Sequence, residues 1–177
     1  MNKRIIVLLI ALLWVIVTVG FIASKQAILK SGKVVLLETE PVDPRDLLRG
    51  DYVILSYKIS NLHLDKIKSG KKYFRHGEIV YVEVEPKGKY WEAISISSKS
   101  PAAGAGILIK GRVQGSYSNE ARVLYGIENY FVPEGEGSKF ETAMRRGSKE
   151  KLNVEAVVDK TGNAMIKRVY FDSTGNP

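Results

Sequence analysis

The densest group of polar side chains is Asp43, Arg45, Asp46, Arg49 and Asp51. Three carboxylates within nine residues are the hard oxygen ligands that Ca²⁺ or Mg²⁺ takes. The two interleaved arginines offset most of that charge, and local structure accounts for the acids. Asp43 suits an N-cap, Pro44 the first helical position and Asp46 a capping box. Arg49 suits the negative end of the helix dipole, and Gly50 the left-handed residue that stops a helix. The sequence therefore predicts one helical turn over 43–50, with Asp51 bonding turn amides where a strand begins, and no metal. A second acidic group, Glu128, Glu134 and Glu136, lies beside Tyr125, Tyr130, Phe131 and Pro133. Glycoside hydrolysis needs two carboxyls at a defined separation. Linear spacing gives no such pair, and acids at the start of a helix predicted over 137–146 complement its dipole. This segment reads better as a contact surface. With no cysteine and only His63 and His76, there is no thiol nucleophile, zinc cluster or iron–sulfur site, and no cofactor is expected.

Serine–lysine chemistry is the remaining enzymatic option. The run Leu47-Leu48-Arg49-Gly50-Asp51-Tyr52-Val53-Ile54-Leu55 resembles the Gly-Asp box of bacterial signal peptidases. Those enzymes also need a Ser-Met motif upstream and a lysine base on a later strand. No serine lies between Ser31 and Gly50, and no Ser-Met occurs anywhere. A lysine such as Lys110 then has nothing to activate. A cell-envelope hydrolase, by carboxylates or by an unusual Ser/Lys pair, stands as the rival to a non-enzymatic binding role.

The elements that would position these groups are mostly strands. Period-two patterns rich in Val, Ile and Tyr occur at 33–40, 51–60, 78–85, 90–97, 107–114, 121–128, 151–158 and 164–171. Within 78–85, Val80, Val82 and Val84 share a face, with Glu78, Glu83 and Glu85 expected to be exposed. Pro86-Lys87-Gly88-Lys89 and Asp159 to Asn163 carry turn residues and join neighbouring strands. The fold predicted is mainly β, an antiparallel sandwich or barrel-like domain with two or three short helices, the third a turn at 61–68. Trp91 and the tyrosines at 52, 57, 81 and 90 are expected in the core or the sheets. Strand 51–60, apolar on both faces, is expected between packed layers.

The 177 residues carry 27 Lys+Arg against 19 Asp+Glu, unevenly distributed. From Ile5 through Trp14 to Ala23 run 19 residues with no charge. At 1.5 Å each they span roughly 28 Å, close to the hydrocarbon thickness of a bilayer. Lys3 and Arg4 precede them, but the run exceeds a signal-peptide core, and Phe21 and Ile22 stand where cleavage wants small residues. An uncleaved anchor is expected over residues 1–24, followed by a juxtamembrane linker at 25–32 and a β-rich domain at 33–177. Lys25, Lys30 and Lys33 balance the charges before the span, so the positive-inside rule fixes no topology. The short, signal-like N-terminus favours an extracytoplasmic, periplasmic domain on the inner membrane. Without Lys3 and Arg4 the remaining 25 basic residues give a net +6. Only Lys66, Lys68, Lys71, Lys72, Arg75 and His76 cluster, as a solvated turn or as a contact for anionic head groups. Nucleic acid is not expected as a partner.

Gly50-Asp51-Tyr52-Val53-Ile54-Leu55-Ser56-Tyr57 matches G-D-Y-x-x-L-x-Y at every fixed position. The lead-in from Pro41 to Arg49, the segment from Tyr125 to Gly137, and Val154, Val158, Asp159 and Gly162 are also similar to the GDYXXLXY protein family. The resemblance runs from about residue 34 to 170. It implies a single-pass, membrane-anchored bacterial protein without assigned activity, often encoded beside a multi-spanning membrane protein. It brings no catalytic residue. The expected role is therefore an accessory or binding subunit of a membrane protein complex.

Overall fold

The computed structural model of the protein describes residues 3–41, 52–99, 106–132, 140 and 151–172. A long helix, α1 (Lys3–Ser31), precedes a mainly β domain with a sheet that curls into a half-barrel. The helical segment expected at 43–50 and all of the one at 137–146 except Phe140 lie outside the described residues.

Three antiparallel ladders organise the first sheet. β1 (Lys33–Glu40) lies between β11 (Lys151–Val158) and the two-residue β3 (Ser56–Tyr57), and β12 (Ala164–Asp172) pairs with β11 on the far side. The second sheet has six strands in the order β4 (Asn61–His63), β9 (Glu120–Leu124), β8 (Ile107–Tyr117), β6 (Ile79–Lys87), β7 (Tyr90–Ser97) and β5 (Lys68–Ser69). A third, two-stranded sheet joins β2 (Tyr52–Ile54) to β10 (Asn129–Phe131). Register shifts at Glu83/Val84 and Val113/Gly115 are bulges that sharpen local twist, which is how a six-stranded sheet curls. Gly111 has no room for a side chain, since a Cβ there would meet Val123 Cγ1 at 2.3 Å and the Leu124 carbonyl at 3.0 Å.

The core lies between the two larger sheets. Val35 and Leu37 of β1 and Val154, Ala156 and Val158 of β11 face Val80, Val82 and Val84 of β6 and Ile109 of β8, all essentially buried. Each such aliphatic side chain contributes about 1.5–3 kcal/mol by leaving water. The expected valine face of β6 is borne out. Its glutamates are half-buried, not exposed: Glu83 accepts bonds from Ser95 Oγ at 3.0 Å and Gly106 N at 3.3 Å. Tyr90 Oη donates to the buried Asn153 at 2.8 Å, joining β7 to β11. Both expected turns form. Gly88 has φ 65° between β6 and β7, and Gly162 has φ 89° between β11 and β12. In the latter turn, Asp159 accepts bonds from Thr161 N, Thr161 Oγ1 and both nitrogens of Asn163.

Three strand expectations are corrected. The 51–60 segment is not one central strand. It breaks at Leu55, β2 pairing with β10 and β3 with the end of β1, before a 3₁₀ turn at Lys58–Ser60. The strand predicted over 121–128 stops at Leu124, because Gly126 takes φ 78°. The turn predicted over 61–68 forms only at 64–66, where Lys66 N donates to the His63 carbonyl at 3.0 Å; before it Leu62 is buried between exposed Asn61 and His63, and these three residues pair with β9.

The helix α1 presents its apolar side chains outward, with Ile5 49%, Trp14 68% and Phe21 63% exposed. An 18-residue window within Lys3–Gln26 has mean hydropathy 3.2, and this helix is long and apolar enough to cross a membrane. Residues 25–31 continue the helix, so Gly32 alone separates it from β1. A Cβ at Gly32 would meet Val157 Cγ1 at 2.3 Å and the carbonyls of Ile28 and Val158 at 2.9 Å. Two of those atoms are backbone and cannot yield cheaply. Gly32→Val is accordingly expected to destabilise the β domain by about 1–3 kcal/mol through overpacking, measured by denaturant unfolding in detergent. Gly20→Ala, in open space, should leave the unfolding midpoint unchanged.

Candidate functional site

The two segments singled out in the sequence meet. β2 and β10 pair antiparallel, with Tyr52 opposite Phe131, Val53 opposite Tyr130 and Ile54 opposite Asn129. The ladder continues one step further, Leu55 N donating to the Glu128 carbonyl at 2.7 Å. Beyond that point side chains take over. Tyr57 Oη donates to the Ile127 carbonyl at 2.5 Å, and Tyr125 Oη donates to the Ile59 carbonyl at 2.5 Å. Each segment thus sends one buried phenol to the backbone of the other.

The residue types follow from this geometry. Val53, Leu55 and Tyr57 alternate onto one face and are all at most 1% exposed, so the first segment packs its apolar face against the core. The second segment must turn sharply after Tyr125, and Gly126 supplies the left-handed conformation. Glu128 holds that turn: its carboxylate accepts Tyr125 N at 2.5 Å and Gly126 N at 2.9 Å. Burial, with the Glu128 charge as a smaller cause, pushes both the Tyr57 and the Tyr125 phenols well above the usual tyrosine range. Both therefore stay protonated and keep donating.

Of the residues expected to form a site, Tyr52, Leu55, Tyr57, Tyr125, Glu128 and Tyr130 are brought together here. Asp43, Arg45, Arg49, Gly50, Asp51, Pro133, Glu134 and Glu136 lie outside the described residues. The described carboxylate of the acidic group, Glu128, is engaged with two backbone amides of its own turn. No group of three or more His, Asp or Glu placed to hold a metal ion occurs among the described residues. Ile59 and Ile127, whose carbonyls receive the two phenols, escape sequence reasoning, because a backbone acceptor carries no side-chain signature. Phe140 is buried between Tyr130 and Phe171, with ring centroids 5.8 and 4.9 Å away. It fastens β10 to β12. On the outer side, Phe131 is 76% exposed.

One surface concavity borders this unit and another lies at the basic segment 71–78. One, of about 140 Å³, has Ile59, Leu62, Ile67 and Ala93 along it. Two cations on its rim are already paired: Lys58 with Glu92 at 3.1 Å and Glu38 at 3.5 Å, and His63, when protonated, with Glu120 at 3.2 Å. The other, of about 610 Å³, is open and basic, lined by Lys71, Tyr73, Arg75, His76, Gly77 and Glu78. The Lys71 ammonium at 2.7 Å, the Ser98 hydroxyl at 2.6 Å and the Arg75 amide at 2.9 Å hold the Glu78 carboxyl down to about 2.

Among protein families, the one described as GDYXXLXY protein matches over residues 14–169, most of the chain. No curated protein and no solved structure matches.

Tyr57→Phe and Tyr125→Phe each leave a buried carbonyl without its donor, at a cost of about 1–3 kcal/mol. Because both phenols lace the same two segments, the double variant is expected to lose less than the sum. Denaturant unfolding of the four proteins checks this, and strict additivity would show that the two bonds act independently. For Glu78 the folded value lies below the ordinary one near 4.5. Its contribution is therefore complete above about pH 4.5 and lost as pH falls toward 2. Glu78→Gln should destabilise at neutral pH and remove that part of the acid sensitivity, read as unfolding midpoint against pH.

Proposed function

This chain belongs to the GDYXXLXY protein family, and we propose that it is a membrane-anchored accessory subunit that binds a partner, a multi-spanning membrane protein, without catalysing a reaction of its own. One observation carries the reading. The functional groups of the paired segments that chemistry would need, the Glu128 carboxylate and the Tyr57 and Tyr125 hydroxyls, are all engaged with backbone groups. They build a surface in place of a reactive centre. Phe131, largely exposed on β10, gives that surface an aromatic of the kind enriched in protein interfaces. α1 supplies a second contact, inside the bilayer, where a polytopic partner would present its own helices.

On this reading α1 anchors the chain in the cytoplasmic membrane of a bacterial cell, and the β domain lies on the extracytoplasmic side. The signal-like charge and apolar pattern before Ala23 supports that orientation. Extraction of native membranes in mild detergent should recover the full chain with a stoichiometric polytopic protein. Phe131→Ala, at a largely exposed position, is expected to lower that recovery severalfold, by more than any accompanying change in the unfolding midpoint accounts for. Recovery of the chain as a monomer alone would overturn the proposal.

A further inference from the structure

The basic segment after β5 is a built surface. Phe74 is 1% exposed and anchors it in the core. Ser69 Oγ donates to the Lys71 carbonyl at 2.5 Å, Gly77 N donates to Val113 at 2.8 Å, and His76 Nδ1 lies 2.6 Å from the Gln114 carbonyl. Arg112 donates to the Gly77 carbonyl at 3.2 Å. Lys71 pairs with Glu78 and lies over the Phe74 ring at 5.5 Å. Lys66, Lys68, Lys72 and Arg75 are exposed, and none of them forms an ion pair among the described residues. Beside these cations Tyr73 is 59% exposed. A fixed loop thus holds its cations and a tyrosine outward, which is the pairing found at the polar boundary of a bilayer.

The position of this loop follows from the ladders. β1 leaves α1 through Gly32, and Lys33 lies opposite Val158, so the 159–163 turn sits at the helix end of the first sheet. That turn rests on β8, Lys110 N donating to the Gly162 carbonyl at 2.8 Å. Lys110 lies opposite Tyr81, and Tyr81 opposite Ser97. Next to Ser97, Ser98 donates to Glu78 at 2.6 Å. One turn contact, two strand-to-strand steps of about 4.8 Å and the Ser98–Glu78 bond therefore lead from the helix end of the domain to the basic loop. Residues 24–31 of α1 extend about 12 Å past the apolar run, against a head-group layer of roughly 5–8 Å on each side. Gly32 leaves no slack at the junction.

We propose that the 68–77 loop docks onto anionic phospholipid head groups of the membrane that α1 crosses, with Lys68, Lys72 and Arg75 meeting phosphates and Tyr73 the interface. The inference rests on the anchored reading of α1, and it adds a second, electrostatic hold on the same bilayer.

The chain has no cysteine, so an introduced one is a unique labelling site. Gly70 has open space around its Cα, and Gly70→Cys carries an environment-sensitive fluorophore without removing a cation. Lys87→Cys, at the far end of β6, is the control. The full-length protein is reconstituted in vesicles of phosphatidylcholine, or of equal phosphatidylcholine and phosphatidylglycerol. The Gly70 label is expected to shift to the blue only with phosphatidylglycerol, and the shift should fade at high salt. The Lys87 label should not respond. Lys68→Gln, Lys72→Gln and Arg75→Gln together should abolish the shift, each lowering the docked-to-undocked ratio by roughly fivefold. If the triple variant loses its fold, Lys72→Gln alone must still show its fivefold share.

An anionic-lipid shift equal at both labels, or none at either, overturns the proposal. So does a shift reproduced in phosphatidylcholine vesicles by inorganic phosphate, which would make the loop a free-anion site. Failure of the protein to float with vesicles after an alkaline wash would instead sink the anchored reading of α1, and the lipid face with it.

Discussion

Two phenol hydroxyls and the carbonyls they reach hold the domain's irregular half in place. Tyr57 and Tyr125 are buried where water cannot satisfy them, and the carbonyls of Ile127 and Ile59 are in the same position. Neither segment could bury its backbone without the other, since an unpaired buried polar group costs more than a made bond returns. The reciprocal pair therefore couples β2, β3 and the 3₁₀ turn to the loop before β10. It also explains why short strands of two and three residues persist at the margin of the sheets. Apolar burial of Val53, Leu55 and Ile127 supplies the attraction, and the phenols set the register.

This arrangement changes what the family signature means. A motif dense in Asp, Glu and Tyr invites a catalytic interpretation. Yet Glu128 is committed to the amides of Tyr125 and Gly126, and Leu55 extends the ladder to the backbone of the same glutamate. The described residues of the signature, Tyr52, Leu55 and Tyr57, belong to one structural joint with Tyr125 and Glu128. A joint of this kind presents its outer side, including Phe131, in a constant geometry, which is what recognition of a partner requires.

The long ladders were legible in the sequence because their periodicity reflects burial directly. The strands at 33–40, 90–97 and 151–158 match their observed bounds, and Val80, Val82 and Val84 line the core as the alternation implies. The paired segments were legible only as motifs. Val53, Leu55 and Tyr57 announce a buried face, but period two says nothing about which strand receives each hydrogen bond. The break at Leu55 therefore could not be foreseen. Gly126 was visible as a glycine inside an apolar run, which is the usual mark of a turn or bulge. The meeting of Tyr57 with Ile127 and of Tyr125 with Ile59 had no local signal at all, because both acceptors are main-chain atoms from 66 to 70 residues away in sequence.

The junction at Gly32 has a mechanical consequence. A helix that joins a sheet through one residue, with no room for a side chain there beside Val157 and the Val158 carbonyl, has little slack in which to swivel on its own. Spanning helices adapt to bilayer thickness by tilting, on average by about 20°. Were α1 to span a bilayer, the tyrosine-laced end of the domain, about 25 Å along β1 from the junction by strand rise, would swing by roughly 9 Å for such a tilt. On the anchored reading of α1 the fold would act as a lever, passing a change in membrane thickness on to its outer surface.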